Sequence, residues 1–518
     1  MKRNAAYPEN AQVYIAMLEK ELAEKDRKIE NLETENTYLQ EKLKVALYRR
    51  FCRSSEQDKD QPALFNTEEL SDDPEEIQAQ TKIQTVRTYT RTVKTGRKPL
   101  AENIPRVEKI IDISEEEKQC ACGHEMVRIG EEVSERLVII PEKVYVERTV
   151  RPKYACHICE GSGDEGHKAV RIAPSPASLI PKSITTPELL SFIITNKFVL
   201  HLPYYRQSVH FSEIGADISR QDMSTWQEKA GAAVSPLIEE LKKELKAGNV
   251  MHMDETPIQV LHEKEKDGED CRGYMWAATG GRKGNPVVMY EYHPGRQGIY
   301  ADSYLDGYTG WLQTDGYAGY SRAEEKHPGV RHVLCFVHAR RRFFEASKAN
   351  PKDMFLKDVL NTISELYEKE TKLRKQGLES EAFCAKRREA CTPVLDSLKQ
   401  RLELVRSEKI LTPLAGKAVS YTLDNWAGLV KYLECADLTP DNNECENAIR
   451  PFVVGRKNWL FCGSTEGAES SCVFYSLIET AKRNGVKPYD YLCRLFTLLP
   501  LMKTEDSWDS LLPWNIKL

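Results

Sequence analysis

Val250-Met251-His252-Met253-Asp254-Glu255-Thr256-Pro257-Ile258-Gln259-Val260 reads as a β-strand with acids in its interior. A carboxylate inside a strand is costly if it is buried without a partner, so this one needs a reason to be there. Four more strand candidates follow at short intervals: Gly273–Ala278, Pro286–Tyr292, Gly310–Thr314 and Val333–Val337. From Ala339 to about Ala436 the pattern is helical, and Pro440 closes that block. Two further helices are expected, Ser470–Asn484 and Tyr489–Leu499, with Gly485 suited to the position just past a helix end.

Three acids stand out in this region. Asp254 lies in the first strand, Asp315 ends the fourth in Thr314-Asp315-Gly316-Tyr317, and Glu446 follows Asp441-Asn442-Asn443. Asp441 or Asn442 is a candidate cap for a short helix carrying Glu446. Singly, each acid has a structural explanation: Asp before Gly is a common turn residue, and Asp-Asn-Asn a common cap. Together, in this strand order, they describe a ribonuclease-H-like arrangement. Three antiparallel strands are followed by two parallel ones, with carboxylates on strands one and four and on a later helix. Converged carboxylates of this kind hold two divalent cations for in-line phosphoryl transfer. Hard oxygen ligands suit magnesium or manganese.

Upstream, Ile15, Leu18, Leu22, Lys25, Ile29, Leu32, Asn36, Leu39, Leu43 and Ala46 step by three and four, without Pro or Gly. That is a heptad seam and predicts a coiled coil, with Asn36 on the seam favouring a dimer in fixed register. Between residues 56 and 80 there are nine acids and one base. Between 82 and 106 there are seven bases and one acid. Both blocks are poor in apolar residues and read as linker. Arg97 and Lys98, in Thr95-Gly96-Arg97-Lys98-Pro99, are suited to a phosphate backbone or a minor groove.

Cys120-Ala121-Cys122 and Cys156-His157-Ile158-Cys159 bracket an apolar stretch, Val133 to Val146, that suggests a strand pair. Two cysteine pairs on a small β unit predict a zinc module, because zinc takes four such ligands and the unit is too small for a core. His124 is an alternative ligand within the first pair. Residues 186–230 read as helices, with Pro187 at one start, a turn at Gly215 and Ser219 as a cap. The pair around Gly215 is helix-turn-helix-like, a pattern that plain helical hairpins share.

The chain has 518 residues, roughly three or four domains' worth, with 41% apolar and 30% charged residues. Its net charge of −5 excludes a generally basic nucleic-acid coat, so DNA contact rests on local patches. No apolar run approaches the ~18 residues of a membrane span, and the polar start is no secretory signal. The expected compartment is the cytoplasm, where the 14 cysteines serve as thiols or metal ligands.

In its motifs the chain closely resembles the insertion-sequence-sixty-six family of transposases, over nearly its whole length. The most specific part is C-terminal: Asp441-Asn442-Asn443, Glu446, Ile449-Arg450-Pro451, Gly455 to Phe461, Leu477 to Lys482 and Leu511 to Asn515. Asp254-Glu255-Thr256, Asp315 to Tyr320 and Cys335 to Arg341 carry it in the middle, and Gly96 to Leu100 and Tyr154-Ala155-Cys156 near the start.

The resemblance implies a bacterial DDE transposase. It would hydrolyse phosphodiesters at the terminal inverted repeats of its element and join the ends to target DNA. Asp254, Asp315 and Glu446 would be the triad and the magnesium or manganese ligands, with Glu444 as the alternative third acid because Asn447, not Arg, follows Glu446. Cys120, Cys122, Cys156 and Cys159 would hold structural zinc. Arg97, Lys98, Arg340, Arg341, Arg450, Arg456 and Lys457 would contact DNA, and Trp459 would either stack on an end base or pack in the core. His338 would orient a carboxylate or touch DNA.

The domains expected on this reading are a coiled coil (12–50), a linker (51–106), a zinc module (107–172) and a helical segment (173–247). The catalytic core follows in two parts (248–338 and 440–484) around a helical insertion (339–439), with a helical tail (485–518). Expected partners are DNA, a second copy through the coiled coil, and accessory proteins of the same element, with the protein at the nucleoid when bound. The rival expectations are a structure-selective nuclease on the same scaffold and a non-catalytic DNA-binding regulator.

Overall fold

The structure, a computed structural model, describes residues 8–51, 144–155, 170–264, 270–408, 411–503 and 505–517. The chain divides into two compact units, Met1–Asp72 with Lys153–Leu518, and Asp73–Pro152. Of the second unit only 144–152 is described, as exposed chain without regular structure. Val144 and Val146, expected in a strand, are therefore in irregular chain. The other residues of that expected strand pair, the four cysteines, His124, Arg97 and Lys98 lie outside the described residues.

Helix α1 (Pro8–Phe51) is one uninterrupted helix of 44 residues. The expected seam is open along it: Leu18, Leu22, Ile29, Leu32, Leu39 and Leu43 are all exposed. A different face, carrying Glu41 and Val45, is buried near the C-terminal end. Two short strands, β1 (Lys153–Ala155) and β2 (Val170–Ile172), pair antiparallel.

Four helices follow: α2 (Pro187–Phe198), α3 (Tyr204–Glu213), α4 (Arg220–Val234) and α5 (Pro236–Lys246). Their starts follow the expected signals. Thr186 Oγ1 accepts from Leu189 N–H ahead of Pro187, and Ser219 Oγ accepts from Asp222 N–H. Gly215, between α3 and α4, has φ +84°, which a side chain would resist.

The sheet has five strands: β3 (Val250–Lys264), β4 (Asp270–Gly280), β5 (Val287–His293), β6 (Gly310–Thr314) and β7 (Val330–Leu334). Short helices α6 (Ile299–Leu305) and α7 (Ala323–Lys326) connect the last three. Strand order is β5-β4-β3-β6-β7. The first three are antiparallel to their neighbours, while β3–β6 and β6–β7 are parallel. The first and fourth strands are thus adjacent, as the acid pattern requires. Two bounds differ from expectation. Strand β3 runs on to Lys264, and β7 ends at Leu334, so that Phe336 and Val337 open a helix instead of closing a strand.

That helix, α8 (Phe336–Ala349), leads into α9 (Met354–Arg374), α10 (Ser380–Glu408), α11 (Pro413–Asp424) and α12 (Trp426–Val430). This block has apolar clusters of its own, one centred on Phe343, Leu356, Ile363, Leu398 and Val419. The end of α1 lies on it: Glu41 accepts from Asn350 Nδ2 at 2.6 Å and from Leu414 N–H at 3.0 Å, and Lys417 stands over the Tyr38 ring.

The chain returns to the sheet through α13 (Asn443–Trp459), α14 (Thr465–Arg483) and α15 (Pro488–Leu498). Helix α13 has 17 residues, with Pro451 inside it, and is not the short helix expected. Helix α14 covers β5, a sheet edge that would otherwise present unpaired backbone. Ser476 Oγ accepts from Tyr290 N–H, and Thr480 Oγ1 both accepts from Val288 N–H and donates to its carbonyl. Among the described residues no helix is long and apolar enough to cross a membrane.

Candidate active site

The parallel pairing of β3 with β6 ends at His252 opposite Gln313. Asp254, still within β3, and Asp315, just past the end of β6, each come two residues later, where the β3–β6 ladder has stopped. Carboxyl ends of parallel strands open a crevice that backbone pairing no longer fills. Here that crevice receives two carboxylates from one register line. Burial raises the Asp254 carboxyl well above the usual range, and the charges of Glu255, Asp315 and Glu446 push it further the same way. Glu255 N–H, donating to Asp254 Oδ1 at 2.9 Å, offsets this only in part.

Glu446 arrives from α13, whose start is fixed by Asn442. This residue is buried and makes three connections: Nδ2 donates to Met253 carbonyl, Oδ1 meets His252 Nδ1 at 3.0 Å, and its N–H donates to Cys335 Sγ. Asn442 was expected as a cap, but its side chain makes no cap bond and instead ties α13 to β3. One turn later stand Glu446, Cys335 and His338, whose ligand atoms all lie within 4.8 Å of one another. The three acids Asp254, Asp315 and Glu446 do not gather that tightly as a trio. A two-cation site does not require it, since its ions stand ~3.5–4 Å apart and divide the ligands. The oxygen donor set and the raised Asp254 carboxyl both fit cations, which would relieve the crowding of like charge.

Glu444 faces elsewhere: it is exposed and ion-paired with Arg483 at 2.6 Å. Its neighbour Glu446, and not Glu444, is among the charges that raise Asp254.

A second network lies beside Asp254, and the sequence reading missed it. Glu255, its side chain fully buried, accepts from Arg296 Nε at 2.5 Å and from Tyr320 hydroxyl at 2.6 Å. Arg296 stands over the Tyr317 ring at 3.9 Å, and the Tyr317 hydroxyl donates to Arg296 carbonyl. Tyr317 N–H in turn donates to Asp315 Oδ1 at 2.9 Å. Strand β3 is thereby braced to the turn that carries Asp315. The signal was present in Asp254-Glu255-Thr256 and in the tyrosines of Asp315-Gly316-Tyr317-Ala318-Gly319-Tyr320. Only Arg296 comes from a loop with no marker. His332, with Nε2 2.7 Å from Thr314 Oγ1, is a half-buried structural imidazole lowered to about 4 by loss of solvent around its ring.

The expected DNA contacts separate. Lys457 and Arg341 are exposed and Arg450 is half-buried. Arg456 Nη1 donates to Thr256 Oγ1 and Pro257 carbonyl, joining α13 to β3. Arg340 is a correction: at 4% exposure it is packed inside the protein and presents no surface to a phosphate. Trp459 is half-buried and packs edge-on against Phe452 at 5.5 Å.

Comparison with known proteins adds to this geometry. Residues 182–470, over half of the chain, match the model of the Transposase IS66 family. The chain belongs to the IS66 transposase family. Residues 117–160 match the zinc-finger binding domain of transposase IS66, and 476–514 the IS66 C-terminal element. Residues 38–108 match the model described as Transposase C of IS166 homeodomain. Two relatives in Sinorhizobium fredii are similar over most of their length. The uncharacterized protein y4jD is 32% identical over 430 residues, 81% of each chain. The uncharacterized protein y4hP is 29% identical over 465 residues, 85% of this chain and 80% of the relative. As an IS66 member the protein is an insertion-sequence transposase, with DNA as its partner and a zinc-finger segment among its parts.

Proposed function

We propose that this IS66 transposase is a DDE enzyme built on a ribonuclease-H-like sheet, with Asp254, Asp315 and Glu446 as its catalytic acids. It cleaves phosphodiesters at the terminal inverted repeats of its element and transfers the freed 3′-hydroxyls into target DNA. The observation that carries this reading is the shared register of Asp254 and Asp315 just past the last β3–β6 pair, with Glu446 among the charges that raise Asp254. Divalent cations, magnesium or manganese, bound by these carboxylates supply the Lewis-acid stabilisation of phosphoryl transfer. Asp254 and Asp315 provide the shared anionic floor, Glu446 closes it from α13, and His338 orients Glu446. Glu255 and Tyr320 keep the two strand ends at a fixed separation. Arg450, Lys457 and Arg341 bind phosphates, together with Arg97 and Lys98 of the basic linker.

The exposed leucines of α1 are the dimer seam, and Cys120, Cys122, Cys156 and Cys159 hold zinc. The domain limits follow the sequence reading, with α8–α12 as an insertion between the second and third acids.

The test is movement of a marked element in cells supplied with the intact protein or with Asp254→Asn, together with proteins encoded beside it. Movement with the intact protein alone supports the assignment, and equal movement with both removes Asp254 from the chemistry. Cleavage that follows DNA shape and ignores end sequence would favour a structure-selective nuclease. DNA binding without any cleavage by the intact protein would favour a regulator.

A further inference from the structure

Among the described residues, three that are not glycine have a left-handed backbone: Lys182, His201 and Leu460. Two of these meet. A Cβ placed on Gly455 would stand 3.2 Å from His201 Nδ1 and 2.9 Å from the indole nitrogen of Trp459, so the His201 loop lies against the end of α13. At Leu460, φ 68° and ψ −50°, with Phe461 N–H donating to Trp459 carbonyl at 2.9 Å, make a γ-turn of the strained, positive-φ kind. Packing on both sides enforces it. Leu460 N–H is bonded to Arg456 carbonyl, and buried Cys462 exchanges backbone hydrogen bonds with β3 through Gln259 and Leu261. Strain of this kind persists where the surroundings over-determine it, and it clusters at functional sites.

The product of the strain is exposed apolar surface. Leu460 is 60% exposed and Phe461 43%, and Leu200, next to His201, is 60% exposed. Cations flank them: Lys457 is exposed, and Arg206, also exposed, places Nη1 3.5 Å from Asn458 Oδ1. Glu446, Arg450 and Lys457 step by four and seven along α13 and so share one side of the helix, and Leu460 caps its end three residues later. One side of the helix thus carries a crevice acid and then cations, and the apolar tip follows at the helix end. Leu460 lies fourteen residues beyond Glu446, about 21 Å at the helical rise. That is roughly six base steps of duplex at ~3.4 Å each.

We propose that this tip is a wedge that opens base pairs and holds the unpaired bases, about six steps from the phosphate cut at the acid crevice. The inference rests on the transposase reading and adds a DNA-distorting contact to it. Apolar side chains inserted between base steps, with cations on the phosphates, are the chemistry of duplex opening and of unpaired-base capture. The flanking cations favour a nucleic acid over a second protein surface as the occupant.

The test uses the full chain and duplexes carrying the inverted repeats of its element, with 2-aminopurine scanned along the end. With the intact protein, fluorescence should rise about six steps from the cut. The double variant Leu460→Ser/Phe461→Ser should lose that rise and cut paired ends at least tenfold more slowly. A duplex mismatched at the opened steps should restore its rate, which a general folding defect would not allow. Leu460→Gly should raise Tm, because glycine tolerates the turn, while slowing cleavage of paired ends.

Equal cutting of paired and mismatched ends by the double variant, at the intact rate, overturns the wedge and leaves the acid site standing. A loss of activity that mismatches do not restore, with a fall in assembly mass, overturns it in favour of a contact between copies. Failure of the intact protein to cut any end removes the transposase reading and the wedge with it.

Discussion

Buried charge is handled in opposite ways in the sheet crevice and in the helical block. In the block, Arg387 is fully buried and held by four hydrogen bonds: Nη2 donates to Glu370 and to Leu438 carbonyl, and Nη1 to the carbonyls of Tyr432 and Cys435. Arg374 adds a second cation to the same Glu370 oxygen at 2.8 Å. The buried guanidinium there meets an opposite charge and backbone dipoles. In the crevice, Asp254 is pressed by Glu255, Asp315 and Glu446, all of its own sign. A compensated buried ion pair specifies architecture, whereas crowded like charge raises the energy of the protein alone and is relieved by something it binds. Glu255 stands between these cases, next to Asp254 in sequence yet paired with Arg296 and Tyr320. Lys197 is a fourth case, a half-buried cation bonded to the neutral Gln227 Oε1 at 2.6 Å and standing over the Tyr204 ring.

This contrast is open to direct attack. Asp254→Asn should lower strand cleavage more than ~1,000-fold while leaving the unfolding midpoint unchanged or raised, since a repelled charge is lost. Cleavage assays beside urea titrations check both, and a large loss of stability would erase the distinction drawn above. Arg387→Met should behave the other way, costing about 3–5 kcal/mol by leaving Glu370 short of its partner. Adding Glu370→Gln should recover part of that cost, as urea unfolding of the single and double variants will show.

Glu255→Gln should reduce cleavage about 10–100-fold, the usual penalty for loosening groups behind a metal site. Raising the divalent cation concentration should recover much of the rate; no recovery would mean the brace acts through folding alone. The smallest effect concerns Lys197, which burial lowers to about 8. Above pH 8 the unfolded chain keeps a proton that the folded chain has shed. Stability should therefore rise as pH climbs from about 8 towards the ordinary lysine value, and Lys197→Met should flatten that rise.

The sheet was legible because its strands are short apolar runs closed by turn residues, and because acids at strand ends are conspicuous. Asp315 follows directly on a strand whose bounds, Gly310–Thr314, match the sequence reading. The Phe336-Val337 error has a plain cause. A short apolar run does not distinguish the end of a strand from the start of a buried helix, and Cys335 turns the chain between them. Arg340 misled because an arginine beside two others reads as surface, while the helical period puts it on the buried face of α8. Asn442 read as a cap because capping is local chemistry, but its partners His252 and Met253 are some 190 residues away in sequence.

The amino-acid order by itself determined the family motifs, the order of strands and helices, and three acids able to serve one site. These rest on local propensity, periodicity and residue type, which a linear text records. Tertiary structure decided the rest. It separated Glu444 from Glu446, pairing the first with Arg483 and setting the second among the charges that raise Asp254. It joined Glu255 to Arg296 and Tyr320, and it strained Leu460 outward between a helix end and a strand. Each of these outcomes depends on which distant groups share a burial site, and electrostatics and packing act through space, not along the chain.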